Sequence, residues 1–140
     1  MEFGRWCQTM PKQSKKMKTL QFKQTEHALQ SAVMKWAALS RCQYPELDLL
    51  FAIPNGGKRH PAVAKKLKAE GVKAGVPDLF LPVARGGWHG LFIELKVGRN
   101  KLSEAQEKWH QWLDDEQYKV AICRSFDEVV NEIAEYLNQI

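Results

Sequence analysis

The sequence predicts an α/β domain: a mixed sheet of about four strands flanked by helices. Three observations predict it. Segments with apolar residues at three- and four-residue spacing alternate with short apolar runs of strand length. Turn signals rich in Gly and Pro separate these segments. The chain's 140 residues, 44% hydrophobic and 26% charged, suffice for one core and one domain.

The elements follow in order. Thr25 is a candidate N-cap for a helix running to about Ser40, with Leu29, Ala32, Val33, Trp36 and Ala37 as its inner stripe. Glu26 lies three residues before Leu29, on that same apolar face. Tyr44-Pro45 ends the helix. Leu47 to Ile53, apolar except for Asp48, predicts a buried strand. Pro54-Asn55-Gly56-Gly57 is a turn. Pro61 opens a short helix that Gly71 closes, with Lys65, Lys66 and Lys68 outward. Asp78 to Pro82 and Leu91 to Val97 read as strands joined through the Arg85–Gly90 turn, an antiparallel pair. Ser103 and Gln106 have capping-box spacing at the head of the next helix, whose inner face reads as Ala105, Trp109, Trp112 and Leu113. Lys119 to Cys123 is a fourth strand. Ser125 and Glu128 repeat the capping pattern before a last helix with Phe126, Val129, Val130, Ile133 and Leu137 on one side.

Charge is distributed unevenly. The net charge is +5, and residues 1–23 hold six basic residues and one acid. Residues 1–22, aperiodic and rich in Lys and Gln, read as a flexible basic arm, with residues 23–140 as the folded domain. From Lys58 to Lys101 there are ten basic residues and only three acids, Glu70, Asp78 and Glu94. A basic middle with few carboxylates suits a phosphate-rich partner and asks for a reason behind each carboxylate. No apolar run approaches the roughly 18–20 residues of a membrane span, and no secretory signal is expected at the start. Cys7, Cys42 and Cys123 form no CxxC pair, so a disulfide scaffold or thiolate zinc site is not expected and a reducing cytoplasm fits. The four histidines make no zinc-binding spacing. There is no Gly-rich nucleotide loop, so no nucleotide cofactor is expected.

The chemistry concentrates at two strands. Side chains alternate across a strand, so Phe92, Glu94 and Lys96 share one face and Ile93 and Leu95 the other. In a hairpin, Asp78 comes beside the end of the second strand. Two acids and a lysine then share a small region. Adjacent carboxylates repel, and a hard divalent ion such as Mg²⁺ (or Mn²⁺), held by oxygen ligands, relieves the conflict. Such an ion with a neighbouring lysine suits phosphodiester hydrolysis.

Gly75-Val76-Pro77-Asp78, Ile93-Glu94-Leu95-Lys96 and Leu102-Ser103-Glu104-Ala105-Gln106, in that order, resemble the PD-(D/E)XK nuclease superfamily and, more narrowly, its VRR-NUC (virus-type replication-repair nuclease) family. The resemblance runs from about Glu26 to the last helix. It implies a restriction-endonuclease-like core of helix, three strands, helix and strand. It implies that Asp78, Glu94 and the Leu95 backbone carbonyl bind the metal and that Lys96 assists the nucleophile. It extends to Glu26, as the acid of the first helix, and to Gln106. Asn55, Gly56, Lys58 and Arg59 match a polar loop set near the cleft and are DNA-contact candidates, as are Lys15 and Lys16 of the arm. The implied activity is a homodimeric, metal-dependent endonuclease on branched DNA such as four-way junctions, working in the cytoplasm, that of the host if the gene is viral. The alternatives are a flap, single-strand or restriction-like nuclease of the same fold, a catalytically silent nucleic-acid-binding module, and a metal-free RNA endonuclease of the splicing type.

Overall fold

The computed structural model describes residues 25–54 and 59–140. The arm with Lys15 and Lys16, and the loop residues Asn55, Gly56 and Lys58, lie outside the described residues. The order of elements is α1 (Glu26–Leu39), a 3₁₀ helix (Pro45–Leu49), β1 (Phe51–Ala52), α2 (Pro61–Ala69), β2 (Leu79–Leu81), β3 (Leu91–Leu95), α3 (Glu104–Asp115), β4 (Lys119–Cys123) and α4 (Phe126–Leu137). The strands form one mixed sheet in the order β1-β2-β3-β4. β2 is antiparallel to both β1 and β3, while β3 and β4 are parallel and joined through α3. This is the mixed four-strand α/β architecture expected from the sequence.

Helix starts follow the local chemistry. The Thr25 hydroxyl accepts from the Ala28 N–H, and the Ser125 hydroxyl accepts from the Glu128 N–H. Each satisfies a backbone donor that the first helical turn leaves without a partner. The core lies on one face of the sheet. Leu79, Leu81, Leu91, Ile93 and Leu95 from the strands meet Leu29, Val33 and Ala37 of α1 and Val129, Ile133, Tyr136 and Leu137 of α4. Burial of each large aliphatic side chain contributes about 1.5–3 kcal/mol. The Tyr136 hydroxyl, buried with them, donates to the Val83 carbonyl at 2.5 Å. On the opposite face Phe80 and Phe92 stack with centroids 4.1 Å apart, and Tyr118 meets both edge-on. No helix among the described residues is long and apolar enough to cross a membrane.

Two expectations are corrected. The predicted buried strand over Leu47 to Ile53 is a 3₁₀ helix followed by a two-residue edge strand. Pro45 sits in the first turn of that helix, where its fixed φ and missing N–H are tolerated. Leu47 and Leu50 are buried three residues apart, whereas Leu49 and Phe51 are about half exposed, so the burial period is helical. The second correction concerns α3, which has no buried residue. Trp112 is 55% exposed and packs edge-to-face on Trp109, rather than forming core.

Candidate active site at the end of the sheet

β2 and β3 pair with Leu79 opposite Ile93. One residue further out, Asp78 comes opposite Glu94, and opposed residues of an antiparallel pair project to the same face. Here Asp78 takes over from the β2 ladder. Its Oδ2 accepts the Leu95 N–H at 2.8 Å, in place of a backbone carbonyl. Within a strand a residue's N–H and C=O point to the same side. The Leu95 carbonyl is therefore directed past the end of β2, towards Asp78. On the other edge, the Lys96 N–H donates to the Cys123 carbonyl at 3.0 Å, so pairing with β4 holds the chain extended through Lys96.

Glycine makes this arrangement possible. Gly75 has φ +92°, and a Cβ there would lie 2.6 Å from the Ala105 carbonyl carbon and oxygen and 2.9 Å from Trp109 Cδ1. The loop carrying Pro77-Asp78 thus rests directly on the first turn of α3. That turn carries Gln106. The Ser103–Gln106 capping box is present: the Ser103 hydroxyl accepts from the Gln106 N–H, and Gln106 Oε1 accepts from the Ser103 N–H at 2.8 Å. The amide's other end remains available, and Gln106 Nε2 donates to Glu94 Oε1 at 2.6 Å. Capping and contact with the site are two ends of one side chain.

Glu94 is the chemical centre of this cluster. It is 1% exposed, and Lys96 is 8% exposed with Nζ 3.7 Å from Glu94 Oε1. Burial pushes the Glu94 carboxyl above its ordinary range, the neighbouring Asp78 adds to the rise, and His110 and Lys96 oppose it. Glu94 Oε2 is buried without a hydrogen-bond partner among the described residues. The site therefore holds a carboxylate whose charge is under-compensated by the protein.

Beside it, Glu26, His27, Gln30, Ala52, Ile53, Pro54, Arg59 and Asp78 line a cleft of about 420 Å³. The structure thus brings Asp78, Glu94, Lys96 and Gln106 together, and sets Glu26 and Arg59 along the same cleft as Asp78. Glu26 is half-buried at the start of α1, and Asn100 Nδ2 lies 3.5 Å from its Oε1. Arg124 braces the Asn100 loop by donating to the carbonyls of Gly98 and Asn100. Sequence reasoning missed Asn100 and His110. His110 stands four residues after Gln106, which puts it on the same helix face. That spacing was the available signal.

The donor set fits a hard divalent ion. Among the described residues no group of three His, Cys, Asp or Glu gathers as a metal cage. Two carboxylates and the Leu95 carbonyl offer oxygen only. Mg²⁺ characteristically takes one or two carboxylates and fills its remaining positions with water and substrate phosphate. The partnerless Glu94 Oε2 is an oxygen that such an ion would satisfy.

Comparison with known proteins gives the family and the fold. No curated protein matches the chain. A solved structure described as a VRR_NUC domain protein superposes with a TM-score of 0.70 at 33% identity, over 84% of this chain and 92% of that one. The sequence profile of the VRR-NUC domain matches residues 11–127, beginning inside the segment read as an arm. A match over most of the chain, together with a solved relative of the same fold, shows that this protein belongs to the VRR-NUC family, nucleases of the PD-(D/E)XK type.

Proposed function

We propose that the protein is a metal-dependent DNA endonuclease acting on branched DNA, four-way junctions first, as a homodimer. The observation that carries the chemistry is the convergence of Asp78, Glu94 and Lys96 at one sheet end, with a buried and under-compensated Glu94. Asp78, Glu94 and the Leu95 carbonyl would hold Mg²⁺ or Mn²⁺. A bound ion supplies charge neutralisation at a phosphoryl oxygen and acidifies a water. Lys96 places a buried ammonium beside the reacting phosphate, where it orients the attacking water and stabilises negative charge as it develops. Gln106 fixes the Glu94 carboxylate from its Oε1 side. Glu26 faces the cleft from α1 and accepts a hydrogen bond from a water or sugar positioned there. Arg59 supplies a phosphate contact at the cleft wall, joined in this reading by Asn55, Gly56 and Lys58 of the adjoining loop.

In this reading residues 23–140 are the nuclease domain, and the basic segment of residues 1–22, including Lys15 and Lys16, adds phosphate contacts. Branched DNA and a dimer belong together physically: two symmetric cuts require two sites related by a two-fold axis. The reaction takes place in the cytoplasm, where unpaired cysteines persist.

The test is direct. Purified protein is incubated with duplex, flap, single-strand and four-way-junction DNA in Mg²⁺, Mn²⁺ or EDTA. Paired cuts in the junction, dependent on the ion and absent in Asp78→Asn and Lys96→Ala, are expected. Cleavage that persists in EDTA, or wild-type rates in Asp78→Asn, overturns the assignment. Faster cleavage of flaps or single strands keeps the site and replaces the substrate.

A further inference from the structure

His110 contributes to the site without belonging to any of the motifs that define it. It lies on α3 one turn after Gln106, and its side chain is only 14% exposed. Its Nε2 stands 3.7 Å from Glu94 Oε2. Both atoms are buried, and neither has a hydrogen-bond partner among the described residues. Two orphaned buried polar atoms that face each other are costly. Catalytic hydrogen bonds are often long in the resting protein and tighten in the working complex.

The geometry points to His110 as a positioning residue for Glu94: its Nε2–H donates to Oε2 while Gln106 Nε2 holds Oε1, so that α3 grips both oxygens of the carboxylate. This rests on the reading of Glu94 as a metal-holding carboxylate. One contact leaves a carboxylate free to rotate about its last torsion, which is broad and soft. Two contacts from residues four apart on one helix fix its plane. The pair Gln106 and His110 thereby sets the direction in which the remaining lone pairs of Glu94 point, towards Asp78 and the Leu95 carbonyl. Outer contacts of this kind orient ligands and govern metal affinity.

Two substitutions separate positioning from packing. His110→Leu keeps bulk but removes the donor. His110→Gln places an amide N–H near the position of Nε2. Mn²⁺ binding to the DNA-free protein is read by calorimetry, alongside kcat and KM for junction cleavage and the melting temperature in EDTA. The expectation for His110→Leu is a Mn²⁺ Kd raised about tenfold and a similar fall in kcat with KM little changed. His110→Gln should recover most of both. If His110→Leu binds Mn²⁺ and turns over like wild type, the inference is overturned. It is equally overturned if both variants are impaired alike, because a donor would then be irrelevant. A wild-type protein that binds no Mn²⁺ and cuts no DNA refutes the metal-site reading itself, and is distinguishable because it requires no variant.

Discussion

Glu94→Gln gives a stability prediction whose sign depends on metal. The Glu94 carboxyl is 1% exposed and its pKa is raised from an ordinary value of 4.5, chiefly by burial. A carboxyl with a raised native pKa holds its proton more tightly in the folded chain than in the unfolded one. Its ionisation therefore weakens folding: stability is highest below the unfolded pKa and falls as pH rises through the folded value. At neutral pH and without metal the charge is a net cost. The substitution leaves Oε1 to accept from Gln106 Nε2 and removes that charge, while Lys96 loses an anion 3.7 Å away and the new amide NH2 faces His110 Nε2, 3.7 Å from Oε2 in the wild type. Removing a buried, under-compensated charge raises stability, and each 1 kcal/mol gained would raise the melting temperature by about 4 °C for a domain of this size. With divalent ion the order reverses. An ion at about 100 times its Kd adds roughly 2.7 kcal/mol to a protein that binds it, and the neutral amide binds it poorly. Melting temperatures of both proteins in EDTA and in saturating Mn²⁺, at about pH 5 and about pH 8, test this. The variant should melt higher in EDTA at the upper pH, with the gap narrowing at the lower pH, and lower in Mn²⁺. A variant that is less stable in EDTA at the upper pH would show that the ion pair with Lys96 outweighs desolvation, and would refute the reasoning.

Three further outcomes follow. Gly75→Ala places a Cβ against the Ala105 backbone at φ +92°, so urea denaturation should show destabilisation by about 1–3 kcal/mol, with cleavage reduced because Asp78 rides on the same loop. Replacing Lys65, Lys66 and Lys68 of α2 by Gln should flatten the slope of log affinity against log salt by about 0.9 for each phosphate no longer neutralised, while the single-turnover rate at saturating DNA is unchanged; an unaltered slope would remove α2 from the DNA surface. Cys123 is buried and its thiol is pushed up to about 12, first by burial, so at about pH 8 alkylation followed by mass spectrometry should label the exposed Cys42 and leave Cys123 unmodified in the native protein.

The strongly periodic parts of the fold were legible, and the parts fixed by competition between local signals were not. α1, α4 and the pair β2–β3 were readable because their apolar spacing, caps and turns agree. Leu47 to Ile53 misled because a continuous apolar run has no period, and the start signal of Pro45 outweighed its hydrophobicity. Trp109 and Trp112 misled for a different reason. Their spacing marks a helix face, but whether that face meets core or solvent depends on where α3 lies over the sheet. The candidate cluster was legible in outline because alternation along Phe92-Ile93-Glu94-Leu95-Lys96 sets Glu94 and Lys96 on one face. The hydrogen bond from the Leu95 N–H to Asp78 was not, since it replaces a ladder bond where β2 stops. His110 left a weaker trace: its spacing from Gln106 marks the shared helix face, but its partner Glu94 is remote in sequence and only the tertiary fold brings them together.

The site is also where this sequence departs from its own folding rules. Every other residue of β3 is an apolar side chain in an apolar setting, yet Glu94 is buried among them with one oxygen lacking a hydrogen-bond partner among the described residues. A core optimised for stability alone would carry an apolar residue there. The compensation comes from α3, and it comes from a residue that already serves the fold. Gln106 closes the capping box with one end of its amide and reaches Glu94 with the other, so the start of α3 cannot shift without moving the carboxylate's donor. Gly75 then ties the Asp78 loop to that same first turn. Three sequence motifs separated along the chain are thereby locked to one helix end. Their relative geometry is set by capping and close packing, and the residual electrostatic conflict at Glu94 is of the kind a divalent cation would resolve.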